Sequence, residues 1–374
     1  MLKELSIKFN IKNTFSQIRY NNMNWIASDD TIIFDYKFNN KLDISLISTY
    51  TKLIFSNYTL NEKINNELFI FYANNYNFND IYNIGYDYDY DYGEFNQDVS
   101  NLPSNITHLI FGWHFNQDVS ALPPSLTHLT FGWDFNQDVS NLPYGLTCLT
   151  FGERFNKDVL NLPHTLTHLT FGCDFDKDVS NLPPNLINLT FGSNFNQSVS
   201  ELPQNLTNLT FGHYFNKDVS VLPHTLTHLT FGYYFDRDVS NLPPNITNLT
   251  FGFEFGGDVC NLPSTLTHLF FETNFNRDIS KLPSTIIHLG LGQNFKQQIT
   301  FHPNIKYLKL NCNNQYIIDF LPNSIVELEL GYDFNLQMDN LPTSIKKIII
   351  DKGSSYNKDL NCLPDFVEEL HLNR

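Results

Sequence analysis

The sequence predicts a β-rich solenoid, in which repeats of about 20 residues each supply one parallel strand, with little or no helix on the outer side. Three observations predict it. Phe recurs at 95, 115, 135, 155, 175, 195, 215, 235, 255, 275 and 295, a strict period of 20. All 17 prolines lie in a second ladder, running from Pro103 to Pro364, or directly beside it at Pro124, Pro184 and Pro244. A proline in every repeat of 20 residues leaves no room for a full helix, because proline lacks the N–H that a helix interior needs.

One unit, Phe115 to Asp134, reads FNQDVSALPPSLTHLTFGWD. Its strand is the stretch Leu126-x-x-Leu129-x-Phe131, where side chains alternate between faces. Leu129 and Phe131 should point inward, and His128 and Thr130 outward. Gly132 turns the chain out of the strand. Phe115 and Val119 should fill the core behind, and Leu122-Pro123 carries extended or single-turn backbone toward the next strand. Twenty of the 34 phenylalanines fall in two columns, Phe95 to Phe295 and Phe111 to Phe271. Parallel strands lie about 4.8 Å apart, so each column should form an aromatic spine.

Polar columns have structural work to do in such a coil. The Asp column (Asp98, Asp118, Asp138, Asp158, Asp178, Asp218, Asp238, Asp258, Asp278) is expected to cap turn amides. One Asp per coil does not supply the converging oxygens that calcium requires. The Asn of each Phe-Asn pair, as in Asn96, Asn116 and Asn136, is expected to form a ladder with exposed loop amides.

Residues 1–94 fit the pattern only in part. Ile32-Ile33-Phe34 and Phe38-Asn39 keep the strand-turn-Phe-Asn register. Leu53-Ile54-Phe55, Phe69-Ile70-Phe71, Phe78-Asn79 and Leu2-x-x-Leu5-x-Ile7 match more loosely. The segment is expected to be degenerate repeats capping an array of about 14 units over residues 95–374. A small independent domain is the alternative. Tyr86 to Tyr92 (YDYDYDY) reads as a solvated loop. Pro124, Pro184 and Pro244 are 60 residues apart, as are the two copies of LPHTLTHLTFG at Leu162 and Leu222, so the array grew by copying blocks of three repeats.

The strand spacing of Leu126, Leu129 and Phe131 resembles that of leucine-rich repeats. The wider pattern Phe115-Asn116-x-x-Val119-x-x-Leu122-Pro123 resembles the FNIP repeat, a family found mainly in social amoebae and in large DNA viruses that infect amoebae. That resemblance implies a leucine-rich-repeat-like, right-handed coil and, by association, a role in protein recognition. Some family members carry an N-terminal F-box that recruits a ubiquitin ligase. Residues 1–94 show no Leu-Pro-led helical pattern of that kind, so an adaptor role in host ubiquitin ligation is only the runner-up.

Charge and composition narrow the functions further. Lys plus Arg number 23 against 39 Asp plus Glu, a net charge of −16, which disfavours nucleic-acid or anionic-membrane partners. No apolar run approaches a membrane span or a signal peptide. Five scattered cysteines (Cys148, Cys173, Cys260, Cys312, Cys362) suit a reducing compartment, so the chain is expected in the cytoplasm, the host's if it is viral. No P-loop, G-x-S-x-G, H-x-x-E or C-x-x-C motif is present, and a repeat spreads its polar groups along a line where catalysis needs them converging. No catalytic residue, cofactor or resident metal is expected. The expectation is a non-enzymatic protein-interaction scaffold.

Two surfaces could carry that interaction. On the sheet face runs the column His108, His128, Cys148, His168, Asn188, Asn208, His228, Asn248, His268, His288, beside Thr130 to Thr250. Metal-binding or ice-binding ladders are remote alternatives for these columns. The two positions before each spine Phe differ from coil to coil, and they lie just past the strand, on the expected concave rim. Candidate partner contacts are therefore Trp113, Trp133, His213, Tyr214, Tyr233, Tyr234 and Phe253 on the rim, with His128 and His168 on the face. A last strand, Val367-x-x-Leu370-x-Leu372, presents a sheet edge through which a homodimer could form.

Overall fold

The computed structural model describes residues 25–27, 30–34, 38–42, 44–55, 94–338, 341–351, 354–358 and 366–372. The expectations for Leu2 to Ile7, Phe69 to Phe71, Phe78-Asn79, Tyr86 to Tyr92, Cys362 and Pro364 lie outside them. Two compact units divide the chain, Met1–Gly152 and Glu153–Arg374.

The first unit opens with β1 (Trp25–Ala27) antiparallel to β2 (Thr31–Phe34). From β2 onward every pairing is parallel. A one-turn helix α1 (Ile44–Ile47) leads to β3 (Lys52–Phe55), followed by β4 (His108–Ile110), β5 (His128–Thr130) and β6 (Cys148–Thr150). Register is kept at every step: Ile32 lies opposite Leu53, then Leu109, Leu129 and Leu149. Phe34 and Phe38 are buried, and Phe34 stacks on Phe55 at 5.1 Å.

The second unit repeats one motif: β7 (His168–Thr170), β8 (Asn188–Thr190), β9 (Asn208–Thr210), β10 (His228–Thr230), β11 (Asn248–Phe251), β12 (His268–Phe271) and β13 (His288–Leu291). It continues through β14 (Tyr307–Leu310), a short helix α2 (Gln315–Asp319), β15 (Glu327–Leu330), β16 (Lys347–Ile350) and β17 (Glu369–Leu372). Each strand pairs in parallel with the next. Among the described residues β17 pairs on one side only, and its Leu370 is exposed.

Each coil alternates strand and turn as the spacing predicts. Leu129, Phe131 and Phe135 are buried, and ladder-proline carbonyls accept the N–H three residues on, as in Leu146 to Pro143 at 3.2 Å; in the Pro303 coil His302 is the acceptor instead. Among the described residues helix enters the second unit in one place, where the spine Phe is missing. Asn314, eight residues before Pro322, stands where other coils have Phe. The turn of α2 compensates by burying Ile317 and Ile318 beside Cys312. In the last coil Tyr356 takes the same slot and stacks near Phe334, at 6.1 Å.

The two phenylalanine columns are tighter across a coil than along it. Phe131 and Phe135, within one coil, stack at 3.6 Å, whereas Phe131–Phe151 and Phe115–Phe135 are 5.8 and 6.2 Å apart. Within each unit the spines therefore interlock into a stack of nearly parallel rings. Burial of each ring contributes roughly 1.5–3 kcal/mol.

Backbone contact between coils explains the Gly column. A Cβ on Gly232 would lie 1.9 Å from the Gly212 carbonyl oxygen, and the same clash recurs at Gly132, Gly152, Gly192, Gly212, Gly252 and Gly292. Successive turns touch there, so only the missing side chain lets them approach. The Asn ladder is present as expected: Asn136 N–H donates to Asn116 Oδ1 and Asn216 N–H to Asn196 Oδ1, at 2.9 and 3.0 Å. The Asp caps are present too, with Asp118 accepting both the amide and the hydroxyl of Ser120 at 2.9 and 2.8 Å.

Candidate functional site

The rim columns bring aromatic side chains together in both units. In the first, Trp113 and Trp133 stack at 4.6 Å with their planes 8° apart, both half-buried. The next position carries His114 and Asp134, joined Nδ1 to carboxylate at 2.6 Å. In the second unit His213, Tyr233 and Phe253 form a three-ring stack, with centroids 4.7 and 4.4 Å apart. Tyr214 and Tyr234 stack beside it at 5.3 Å, 51% and 43% exposed.

The turn that ends each strand places these residues. Gly132 or Gly232 lets the coils close up, and the side chains two and one residues before the spine Phe then project in register. The following backbone N–H joins the ladder as well, as with Tyr234 N–H to the His213 carbonyl at 2.9 Å. Rings stacked in this way cover one another's faces and present edges and hydroxyls to solvent. Such a strip suits contact with a protein surface, where aromatic side chains serve as anchors. Desolvation, with the Glu254 carboxylate behind it, raises the Tyr233 phenol above its usual range, so its hydroxyl stays protonated.

The sheet-face candidates sit apart from these stacks, on the strands. His128 is half-buried and stacks on His108 at 4.2 Å, while His168 is exposed on β7. The second unit repeats the pairing, His268 on His288 at 4.1 Å. For His108, His128, His168 and His268 the preceding threonine hydroxyl meets the ring Nδ1, as Thr127 does for His128 at 2.9 Å, whereas Ile287 precedes His288. Burial, then the neighbouring His128, push His108 down to about 4, and burial likewise lowers His168, His268 and His288. A lowered value favours the neutral imidazole, and neutral rings stack without charge repulsion. His164, four residues before His168, sits exposed in the turn. Among the described residues no three His, Cys, Asp or Glu side chains converge as a metal site would need.

Thr130, on the sheet face, is only 7% exposed. It lies between Ile110 and Thr150 on adjacent strands, and side chains at strand spacing cover one another. Sequence reasoning also passed over the charged face of the last strands. There Lys309 bridges Glu329 and Asp351 at 2.5 and 3.0 Å, and Lys347 meets Glu327 at 3.1 Å. The signal was available: alternation in Tyr307-x-Lys309, Glu327-x-Glu329 and Lys347 puts these side chains on one face, in register.

Comparison with known proteins follows the same lines. A family model for the FNIP repeat matches residues 95–134, 135–174, 198–234 and 300–333. No curated protein matches the chain. A solved structure titled as CroV588, a novel circular LRR protein, is similar at 29% identity and a TM-score of 0.62. The match covers 96% of this chain and 58% of that one, so the chain spans under two thirds of its length. YopM from Yersinia enterocolitica WA-314 matches at 18% identity and TM-score 0.38, over 73% of this chain and 69% of that one. The functional domain of InlJ from Listeria monocytogenes matches at 18% and 0.40, over 65% and 64%. Among the described residues no helix is long and apolar enough to cross a membrane.

Proposed function

We propose that this chain, which carries FNIP repeats on a leucine-rich-repeat-like fold, is a non-enzymatic recognition scaffold holding a protein partner on its rim. One observation carries this. The core columns repeat from coil to coil, whereas the rim pair changes, and the aromatic rings gather in two groups of adjacent coils: Trp113 with Trp133, and His213, Tyr214, Tyr233, Tyr234 with Phe253. Core packing does not require these rings, since Ser193, Thr273 and Gln293 fill the same column elsewhere. The partner is placed in a reducing compartment, the cytoplasm, in keeping with free cysteines at 148, 173, 260 and 312. His128 and His168, on the strands, are secondary contacts in this reading.

Because the two groups lie in different units, each is tested alone. One variant changes Trp113 and Trp133 to Ser, and another changes His213, Tyr214, Tyr233, Tyr234 and Phe253 to Ser. Both are used with wild type as bait in amoeba lysate, with circular dichroism as the folding control. A protein retained by wild type and lost from one variant assigns the rim. Ubiquitin-ligase subunits in that capture would make the role that of an adaptor. A partner held equally by both variants would overturn the rim reading.

A further inference from the structure

Three residues break the columns of the repeat within two adjacent coils, and all three line one cleft. Thr130 to Thr250 form an unbroken column along the sheet face, which then reads Phe270 and Gly290. The turn column is Gly in the preceding coils and in the next, but Glu at 272. Phe270, Gly290 and Glu272, with Tyr307, Lys309 and Glu329, line a cleft of about 230 Å³ on the face of β12 to β15. That is smaller than the ~300–1,000 Å³ of sites for drug-sized ligands, and it suits a single side chain.

The cleft has two aromatic walls and a negative field. Phe270 leans over Gly290, where a Cβ would lie 2.4 Å from its Cδ1, and meets the Tyr307 ring edge to face at 67° and 6.3 Å. Glu272 and Glu329 line the cleft, and with Asp351, the second partner of Lys309, three carboxylates outnumber that one ammonium. Two of them are engaged, since Glu329 accepts from both Tyr307 and Lys309, and Asp351 accepts from Lys309. Among the described residues no hydrogen bond or ion pair engages the Glu272 carboxylate, which is exposed at the mouth. An anion is repelled here. An ammonium needs several acceptors to replace its tightly held water, and only one carboxylate is free. A guanidinium is more weakly hydrated, stacks on aromatic rings and grips a carboxylate along one edge.

We propose that this cleft binds a guanidinium group, such as an arginine side chain, against the Phe270 and Tyr307 rings that line it, with Glu272 as its acceptor. The site is separate from the rim stacks, and its test needs no protein partner.

The probe is N-acetyl-arginine methylamide, titrated calorimetrically into the full chain at low salt. Its lysine counterpart and the neutral isostere N-acetyl-citrulline methylamide serve as comparators. A dissociation constant on the order of 1 mM is expected for a ligand of this size, with citrulline and lysine each at least tenfold weaker. The double change Phe270→Thr with Gly290→Thr restores the residue that neighbouring coils carry, so it closes the cleft in a chain that still folds. It should weaken arginine binding at least tenfold, with an unchanged circular dichroism spectrum and melting temperature. Glu272→Gly should cost about fivefold by loss of the one free charged acceptor. Citrulline or lysine binding as tightly as arginine, full affinity in the double variant, or no binding by wild type up to about 20 mM (some twentyfold above the expected constant) would each overturn the assignment.

Discussion

Phe235→Ala tests whether the interlocked rings hold the second unit together. Phe235 is 0% exposed, lies 3.7 Å from Phe231 in its own coil, and has Phe215 and Phe255 at 6.2 Å on either side. Truncation removes a fully buried ring and leaves a hole whose walls are other rings, held from both sides by the backbone ladder. Collapse is therefore limited, and the cost should fall at about 3–5 kcal/mol. Phe235→Leu keeps most of the apolar volume and should cost about 1–2 kcal/mol. The neighbouring Tyr234→Ala is the internal control. Tyr234 is 43% exposed and gives up its stack on Tyr214 and its tilted contacts with His213 and Tyr233, so its cost should stay within about 1 kcal/mol. Urea titration followed by circular dichroism measures all three, with the slope required to stay constant so that midpoints compare directly. A midpoint for Phe235→Ala no lower than that for Tyr234→Ala would refute the division into structural columns and a free rim.

Three further outcomes follow from particular contacts. Gly232→Ala places a Cβ 1.9 Å from the Gly212 carbonyl oxygen and should lower the thermal midpoint markedly, whereas Gly256→Ala, with nothing within 4 Å, should leave it nearly unchanged. Stability should fall as pH drops from about 6.5, the ordinary histidine value, toward about 4, the value burial imposes on His108. The unfolded chain takes up that proton first, so the contribution is intact above the window and lost through it, and His108→Gln should flatten the slope. The Asp118 carboxylate, lowered by the amide and hydroxyl of Ser120, acts below its ordinary 3.8 and leaves this window undisturbed. Cys312 is buried, and burial pushes its thiol up to about 11, so alkylation at pH 8 should label it only as the protein unfolds, well after the partly exposed Cys173.

How far the structure was legible depends on whether a residue repeats. The strand, the turn and the two Phe columns recur many times, so period alone separates inward from outward positions, and Leu129, Phe131 and Phe135 lie where alternation puts them. Asp118 and Asn116 were legible for the same reason, since only a shared backbone group can serve a residue present in nearly every coil. Distances were not legible. That Phe131 lies closer to Phe135 than to Phe151 depends on how the turn folds back, and spacing along the chain does not encode it.

The departures are where period gives way to chemistry, and they divide into two kinds. Some are repairs. Asn314 removes a spine ring, and α2 buries Ile317 and Ile318 in that coil in its place. Others are not repaired. Glu272 takes a position kept as Gly in adjacent coils, and Phe270 and Gly290 replace a threonine pair by one large and one absent side chain. Together they line one cleft on the sheet face. A substitution compensated within its own coil preserves the solenoid, whereas substitutions that converge from separate coils on one uncompensated space do nothing for it. The same distinction applies to the rim, where His213, Tyr233 and Phe253 come from three coils to form one stack that the core does not use. In a chain whose repeats were copied in blocks, shared residues record ancestry and folding. Recognition has to be sought where neighbouring coils depart from the repeat together.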